Sequence, residues 1–207
     1  MTKAEIILKF HLYMDDTTEL SSQEESDLFD KKYQMICGLK PWEFLKTQGT
    51  GTQSTTVPYV ALPSDFSYFS PNHNYTGDNT YGEFPVIFVG SGYSPCQIVN
   101  FSDRRQYRNQ GNSAYLDMAN SRIVFTLQPT IANAIEFDYI KVPANLLTTE
   151  SPIFPARFHD IIYHAMCTDQ FVIDQSDKAK SYRAENQGLY DSYLEDLSMW
   201  NANNIQM

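Results

Sequence analysis

The chain has 207 residues, 42% hydrophobic and 19% charged, with a formal net charge of −10. That length suits one large domain, or one with an insertion, and buries about 70–75% of the unfolded surface without disulfide or metal staples. The acidic balance excludes a dedicated binder of phosphate backbones, and 14 Tyr, 13 Phe and 2 Trp exclude a disordered acidic chain.

The first zone, residues 1–46, reads as helical. Ile6, Phe10 and Tyr13 recur at helical spacing until Asp15-Asp16-Thr17-Thr18 interrupts. Ser22 followed by Glu25 predicts a capping box, in which the two side chains satisfy orphan donors of the first turn. The helix that follows is expected to bury Leu28, Met35, Ile36 and Leu39, with Gly38 as its C-terminal cap and Pro41 forbidding continuation. Trp42, Phe44 and Leu45 then form a short turn.

Residues 47–142 switch to short strands and turn residues. Gly49, Gly51 and a Thr/Ser run precede VPYVALPSDF, whose Pro63-Ser64-Asp65 marks a turn. FPVIFVG, CQIVNF, AYLDM, RIVFTL and AIEFDYIKV follow, with no helix long enough for parallel crossovers, which predicts an antiparallel, β-sandwich-like insert. Ile135, Phe137 and Tyr139 alternate with Glu136 and Asp138 as a half-solvated strand should. Val57–Leu62 and Phe84–Val89 are apolar on both faces, which places them at a sandwich centre or under another subunit. Residues 72–83, polar and glycine-containing, read as an exposed loop.

Pro143, Pro152 and Pro155 mark the boundary of the third zone, residues 143–207. Phe158, Ile161, Ile162, Ala165, Cys167 and Val172 predict a helix. After residues 174–177 a second, longer helix carries Ala179, Tyr182, Leu189, Tyr193, Leu197 and Trp200 near one face. The expected class is α+β: a helical core from both chain ends with the β region inserted between them.

Three scattered cysteines, Cys37, Cys96 and Cys167, fit a reducing compartment. The start MTKAEIILKF lacks the apolar core of a signal peptide, and no stretch approaches the ~20 apolar residues of a membrane span, so a cytoplasmic product without membrane contact is expected. His159, His164 and Cys167, with Asp160 and Asp169 nearby, are the nearest approach to a metal or Cys–His constellation. The two histidines stand about 140° apart on a helical wheel, and no second cluster completes a ligand set. Asp103-Arg104-Arg105 and Arg108 read as a solvated turn or an intersubunit salt-bridge site in preference to a nucleic-acid patch. The pairs Asp15-Asp16 and Glu24-Glu25 suit helix dipoles better than acid–base work. The sequence therefore predicts no enzyme, no cofactor and no metal.

Pro41-Trp42-Glu43-Phe44-Leu45-Lys46-Thr47, a Gly/Thr run and Val57–Phe66, in that order, resemble the Trp–Leu–Lys helix end and "tYxLPxDF" hairpin of the head–tail connector (adaptor, neck ring) proteins of tailed bacteriophages. Phe154-Pro155-Ala156-Arg157-Phe158-His159-Asp160-Ile161-Ile162 resembles the "P-x-x-fh-x-x-l" helix start, and 176–200 the final amphipathic helix. The resemblance implies a structural virion protein of the neck, assembled in the host cytoplasm as a ring, commonly of twelve copies. Such a ring joins the portal to the tail or to a further neck protein, and DNA passes through without specific binding. It places Tyr193, Leu197 and Trp200 at the portal, and it makes Tyr59, Val60, Phe88, Arg104 and Arg105 candidates for contacts between subunits. The competing class is a carbohydrate- or receptor-binding β module of a virion, stacking sugars on Tyr75, Tyr81 and Tyr93. A Cys167–His164 hydrolase is a third.

Overall fold

Ser21, and not Ser22, caps the second helix. In the computed structural model, which describes residues 1–14, 20–70, 85–92, 94–173 and 177–205, α1 spans Lys3–Met14 and α2 spans Ser22–Gly38. The Ser21 hydroxyl accepts the Glu24 N–H, and the Glu24 carboxylate accepts the Ser21 N–H at 2.8 Å. The box sits one residue upstream of the expected pair because Glu25 is claimed by the interior. It is buried, with Oε1 3.1 Å from His11 Nδ1 of α1. The inward stripe of α2 is accordingly Glu25, Phe29, Lys32, Tyr33, Ile36 and Cys37. Of the expected stripe only Ile36 belongs to it; Leu28 is half-buried, and Met35 and Leu39 are exposed. Gly38 is the last helical residue instead of a left-handed cap, and the right-handed Leu39 donates its N–H to the Ile36 carbonyl. The expected break at Asp15–Thr18 and the expected loop at 72–83 lie outside the described residues.

The chain forms two compact units, Met1–Leu45 with Val142–Met207, and Lys46–Lys141. The first contains α1, α2, α3 (Asp160–Ile173) and α4 (Asp177–Ile205), with short 3-10 turns at Glu43–Leu45 and Ala156–Phe158. Its core is aromatic: Phe10, Phe29, Tyr33, Trp42, Phe154 and Phe158 are buried with Ile6, Ile36, Ile161, Ile162 and Leu197. Charged pairs join the helices at the edge of that core. Lys3 of α1 meets Asp30 of α2 at 2.7 Å, Lys9 of α1 meets Asp160 of α3 at 2.6 Å, and Lys32 of α2 meets Asp169 of α3 at 2.7 Å. Lys3 and Lys32 are buried, so each needs its carboxylate: an unpaired buried ammonium would cost several kcal/mol.

The second unit is one eight-stranded sheet: β1 (Lys46–Thr52), β2 (Tyr59–Ala61), β3 (Phe66–Phe69), β4 (Val86–Val89), β5 (Ser94–Val99), β6 (Ser113–Asp117), β7 (Arg122–Phe125) and β8 (Ala134–Lys141). The order is β1-β8-β4-β5-β6-β7-β2, with β3 also pairing β8. The α+β class expected from the sequence holds, and the sandwich-like insert takes the form of a sheet curled into a nearly closed barrel. Its interior is Val60, Phe69, Ile87, Cys96, Ile98, Ile123, Phe125, Ile135, Phe137 and Tyr139.

Strand β1 takes in the Gly/Thr run at 49–51, to which the sequence assigns no strand of its own. Its register sets Gly49 against Phe137 and Gly51 against Ile135. A Cβ at Gly49 would lie 2.5 Å from the Phe137 ring, and one at Gly51 would lie 2.5 Å from Val60 Cγ1 on β2. The glycines thus admit a large aromatic and let β1 approach β2, the two ends of the sheet order. The hairpin expected around Pro63-Ser64-Asp65 is instead a corner: β2 pairs β7 and β3 pairs β8. Asp65 holds the corner by accepting the Tyr139 hydroxyl proton at 2.7 Å. Burial and that hydrogen bond push the Tyr139 phenol up to about 12. All pairings are antiparallel except β5 with β6, because residues 100–112, a run of turns, return the chain to the same end of the sheet as a crossover does.

Candidate functional site

Three places collect the residues that the sequence singles out. The first is the C-terminal half of α4. Leu197 is 0% exposed and belongs to the core. Asn201 is buried beside it and accepts the Glu43 N–H at 2.7 Å. Tyr193 and Trp200 are half-buried. Tyr193 stacks on the His164 ring, with centroids 5.6 Å apart. Trp200 lies 6.4 Å from Phe44 and 6.3 Å from Phe158, and Phe44 stacks on Trp42 at 5.6 Å. What solvent meets here is a shallow groove lined by Arg157, Phe158, Asp196, Trp200 and Asn203, with the Arg157 guanidinium 4.6 Å from the Phe158 ring. A rim of Trp, Phe and Arg with a carboxylate has the composition of an interaction surface.

The α4 stripe also differs from its expected course. Ala179, Asn186, Leu197 and Asn201 are buried, whereas Tyr182 and Leu189 stand at the exposed margin. Asn186 was missed because a polar residue at an inward position carries no hydrophobic signal. Its amide bridges helices, with Oδ1 2.9 Å from His164 Nδ1 and Nδ2 donating to the Tyr13 hydroxyl at 3.3 Å.

The second place is the wall of the barrel. Val60 points inward and is buried; its neighbour Tyr59 is exposed, with the Arg122 guanidinium 4.7 Å from its ring. Phe88 is half-buried on β4, next to the buried Ile87. Arg104 and Arg105 sit on the crossover between β5 and β6. The Arg104 guanidinium stacks 3.8 Å from the exposed Phe101 ring, and Phe101 meets Tyr115 edge to face at 5.7 Å. The crossover is tied down by its own turns, Asp103 N–H to Asn100 O, Gln106 N–H to Asp103 O and Gln110 N–H to Tyr107 O. The five barrel candidates thus lie on three elements, β2, β4 and the crossover between β5 and β6. Tyr75, Tyr81 and Tyr93 lie outside the described residues.

The third place is α3. His164 turns to Asn186, while Tyr163 contacts the Cys167 thiol by hydrogen bond. Burial pushes Cys167 up to about 12, far from the range of a reactive thiolate. Tyr33 and Cys37 repeat the same i,i+4 pairing on α2, where burial again pushes the thiol up to about 12. His159 is buried, its Nε2 2.9 Å from the Phe154 carbonyl and its Nδ1 2.9 Å from the Met1 amino group. Burial holds its pKa below the ordinary value. Among the described residues no group of three His, Cys, Asp or Glu is placed to hold a metal ion. Nor is any helix among them long and apolar enough to cross a membrane.

The motif residues behind the resemblance mostly build the fold. Trp42 is fully buried and donates its indole N–H to the Ile36 carbonyl at 2.8 Å, and Phe154 packs 5.8 Å from Phe44. Asp65 and Phe66 both close on Tyr139. The pairs Phe44–Phe154 and Asp65–Tyr139 join parts of the chain distant in sequence. A family model described as SU10 adaptor protein matches residues 1–206. Among curated proteins there is no match.

Proposed function

The chain belongs to the SU10 adaptor protein family, a family of phage head–tail adaptors, and on that premise we propose that it assembles as a ring between portal and tail or next neck protein. The family match over 1–206 is the observation that carries this reading. Its role is structural, with no catalytic step: it extends the channel through which the genome leaves the capsid. Ring subunits bury surface against two neighbours through unlike patches, and the contact closes when the rotation suits. A formal charge of −10 suits a channel wall that DNA must slide past without adhering.

The groove at Trp200 is the docking surface for the portal. Trp200 and Tyr193 keep part of their surface for a partner, while Leu197 supports them from the core. The test mixes the purified protein with portal rings and images the product by electron microscopy. Arg157→Ala and Trp200→Ala are expected to weaken attachment. Leu197→Ala, the buried control, instead unfolds the protein more easily, by about 2–5 kcal/mol. Absence of the protein from the neck of particles that contain it overturns the reading.

A further inference from the structure

The charge is unevenly divided. Residues 1–45 and 142–207 carry nine Lys and Arg against eighteen Asp and Glu, whereas residues 46–141 carry six against seven. Half of those six are Arg104, Arg105 and Arg108, within five residues of one crossover. Among the described residues none of the three makes an ion pair. The turn is held by its own hydrogen bonds, so little ordering is lost when it binds, and the exposed Phe101 beneath Arg104 supplies an apolar anchor. Arginine with an exposed aromatic is the usual composition of an interface centre.

The outer face of α4 has the complementary character. From residue 184 to residue 205 the helix has no Lys or Arg, and Glu185, Asp191, Glu195 and Asp196 all face solvent. None makes an ion pair among the described residues. Leu189 and Met199 stand exposed among them. Gly188 lies on the same face in the helix interior, and a Cβ there would meet nothing within 4 Å. A glycine in that position weakens a helix relative to alanine, and no contact among the described residues requires it; its bare backbone leaves room for close approach by a partner.

We propose that the arginine turn of one copy docks on the outer face of α4 in the next copy, head to tail, with Arg105 and Arg108 on the carboxylates and Phe101 against Leu189 and Gly188. The inference rests on the ring reading and names the contact that closes the ring. Charge complementarity selects the occupant: the turn requires an acidic partner, and the helical unit of a second copy supplies it at the same stoichiometry. Three cations beside Asp103 are few for tracking a nucleic-acid backbone, and the aromatic anchor matches the exposed Leu189.

The test counts neck rings by electron microscopy in particles assembled with variant full-length chains. Arg105→Glu with Arg108→Glu should lower ring occupancy about tenfold or more, and so should Asp191→Lys with Glu195→Lys. A chain carrying both sets restores the attraction with its sign reversed and should recover rings. All four positions are exposed, so each chain should stay folded, and the combined set, whose net charge is unchanged, should keep its melting temperature. Arg105→Ala with Arg108→Ala serves as the milder pair if a reversed set folds poorly. Wild-type occupancy in the single sets overturns the inference. So does failure of the combined set to recover, which assigns the arginines to DNA or to another neck protein. Wild-type particles without a ring of this chain would instead remove the functional reading itself.

Discussion

Gly49 carries an unusual share of the barrel's tolerance. Its missing side chain is the space that the Phe137 ring occupies, so Gly49→Ala puts a methyl 2.5 Å from that ring. Overpacking of this kind costs about 1–3 kcal/mol. Chemical denaturation should show that loss, and Phe137→Leu in the same chain should recover part of it. His159 gives a second residue-level test. Burial depresses its pKa in the folded state, so the unfolded chain takes up the proton at higher pH. Stability from this group is fully present above the ordinary histidine pKa of about 6.5 and is lost as pH falls through the depressed value. The melting temperature should fall on acidification from about pH 7 to about pH 5, and His159→Gln should flatten that slope.

At the scale of elements, a helix boundary was misplaced by one residue for a definite reason. Ser21 and Ser22 are adjacent, as are Glu24 and Glu25, so either pair fits a capping box. The choice falls to the interior, which places Glu25 beside His11 and leaves Glu24 at the helix end, where hydrogen bonds from Ser21 lower its pKa. Ser21→Ala should cost about 1 kcal/mol in thermal or urea unfolding, and Ser22→Ala only a few tenths. Strand β1 was hidden for the opposite reason. The two glycines in KTQGTGT weaken a strand that its threonines favour and interrupt any alternation of apolar residues, and the pairing with β8 secures it through ring packing across the sheet. The strands at 94–99, 122–125 and 134–141 were legible from their β-branched and aromatic content.

For the whole molecule, the dominant fact is charge of one sign, −9 of the −10 residing in the helical segments. Self-repulsion of that size opposes compaction and is screened by salt within a Debye length of about 10 Å at 0.1 M. Raising sodium chloride from about 20 to about 200 mM should therefore raise the melting temperature of the isolated chain. Contacts between an arginine turn and an acidic helix would respond in the opposite direction, so stability and assembly should separate in a salt titration.

The sequence by itself determined the α+β class, most strands and the family resemblance, since these depend on local periodicity and on the order of motifs. It did not determine which face of α2 or α4 is inward, because Glu25 and Asn186 are polar residues buried for partners far away in the chain. Nor could it separate fold-bearing motif residues such as Phe154 and Asp65 from surface ones, because their partners, Phe44 and Tyr139, are known only once the chain has closed on itself. The tertiary structure also decided that Leu197 supports its neighbours from the core while Trp200 keeps a solvent edge: helical periodicity fixes a stripe, and only packing fixes how much of it remains uncovered.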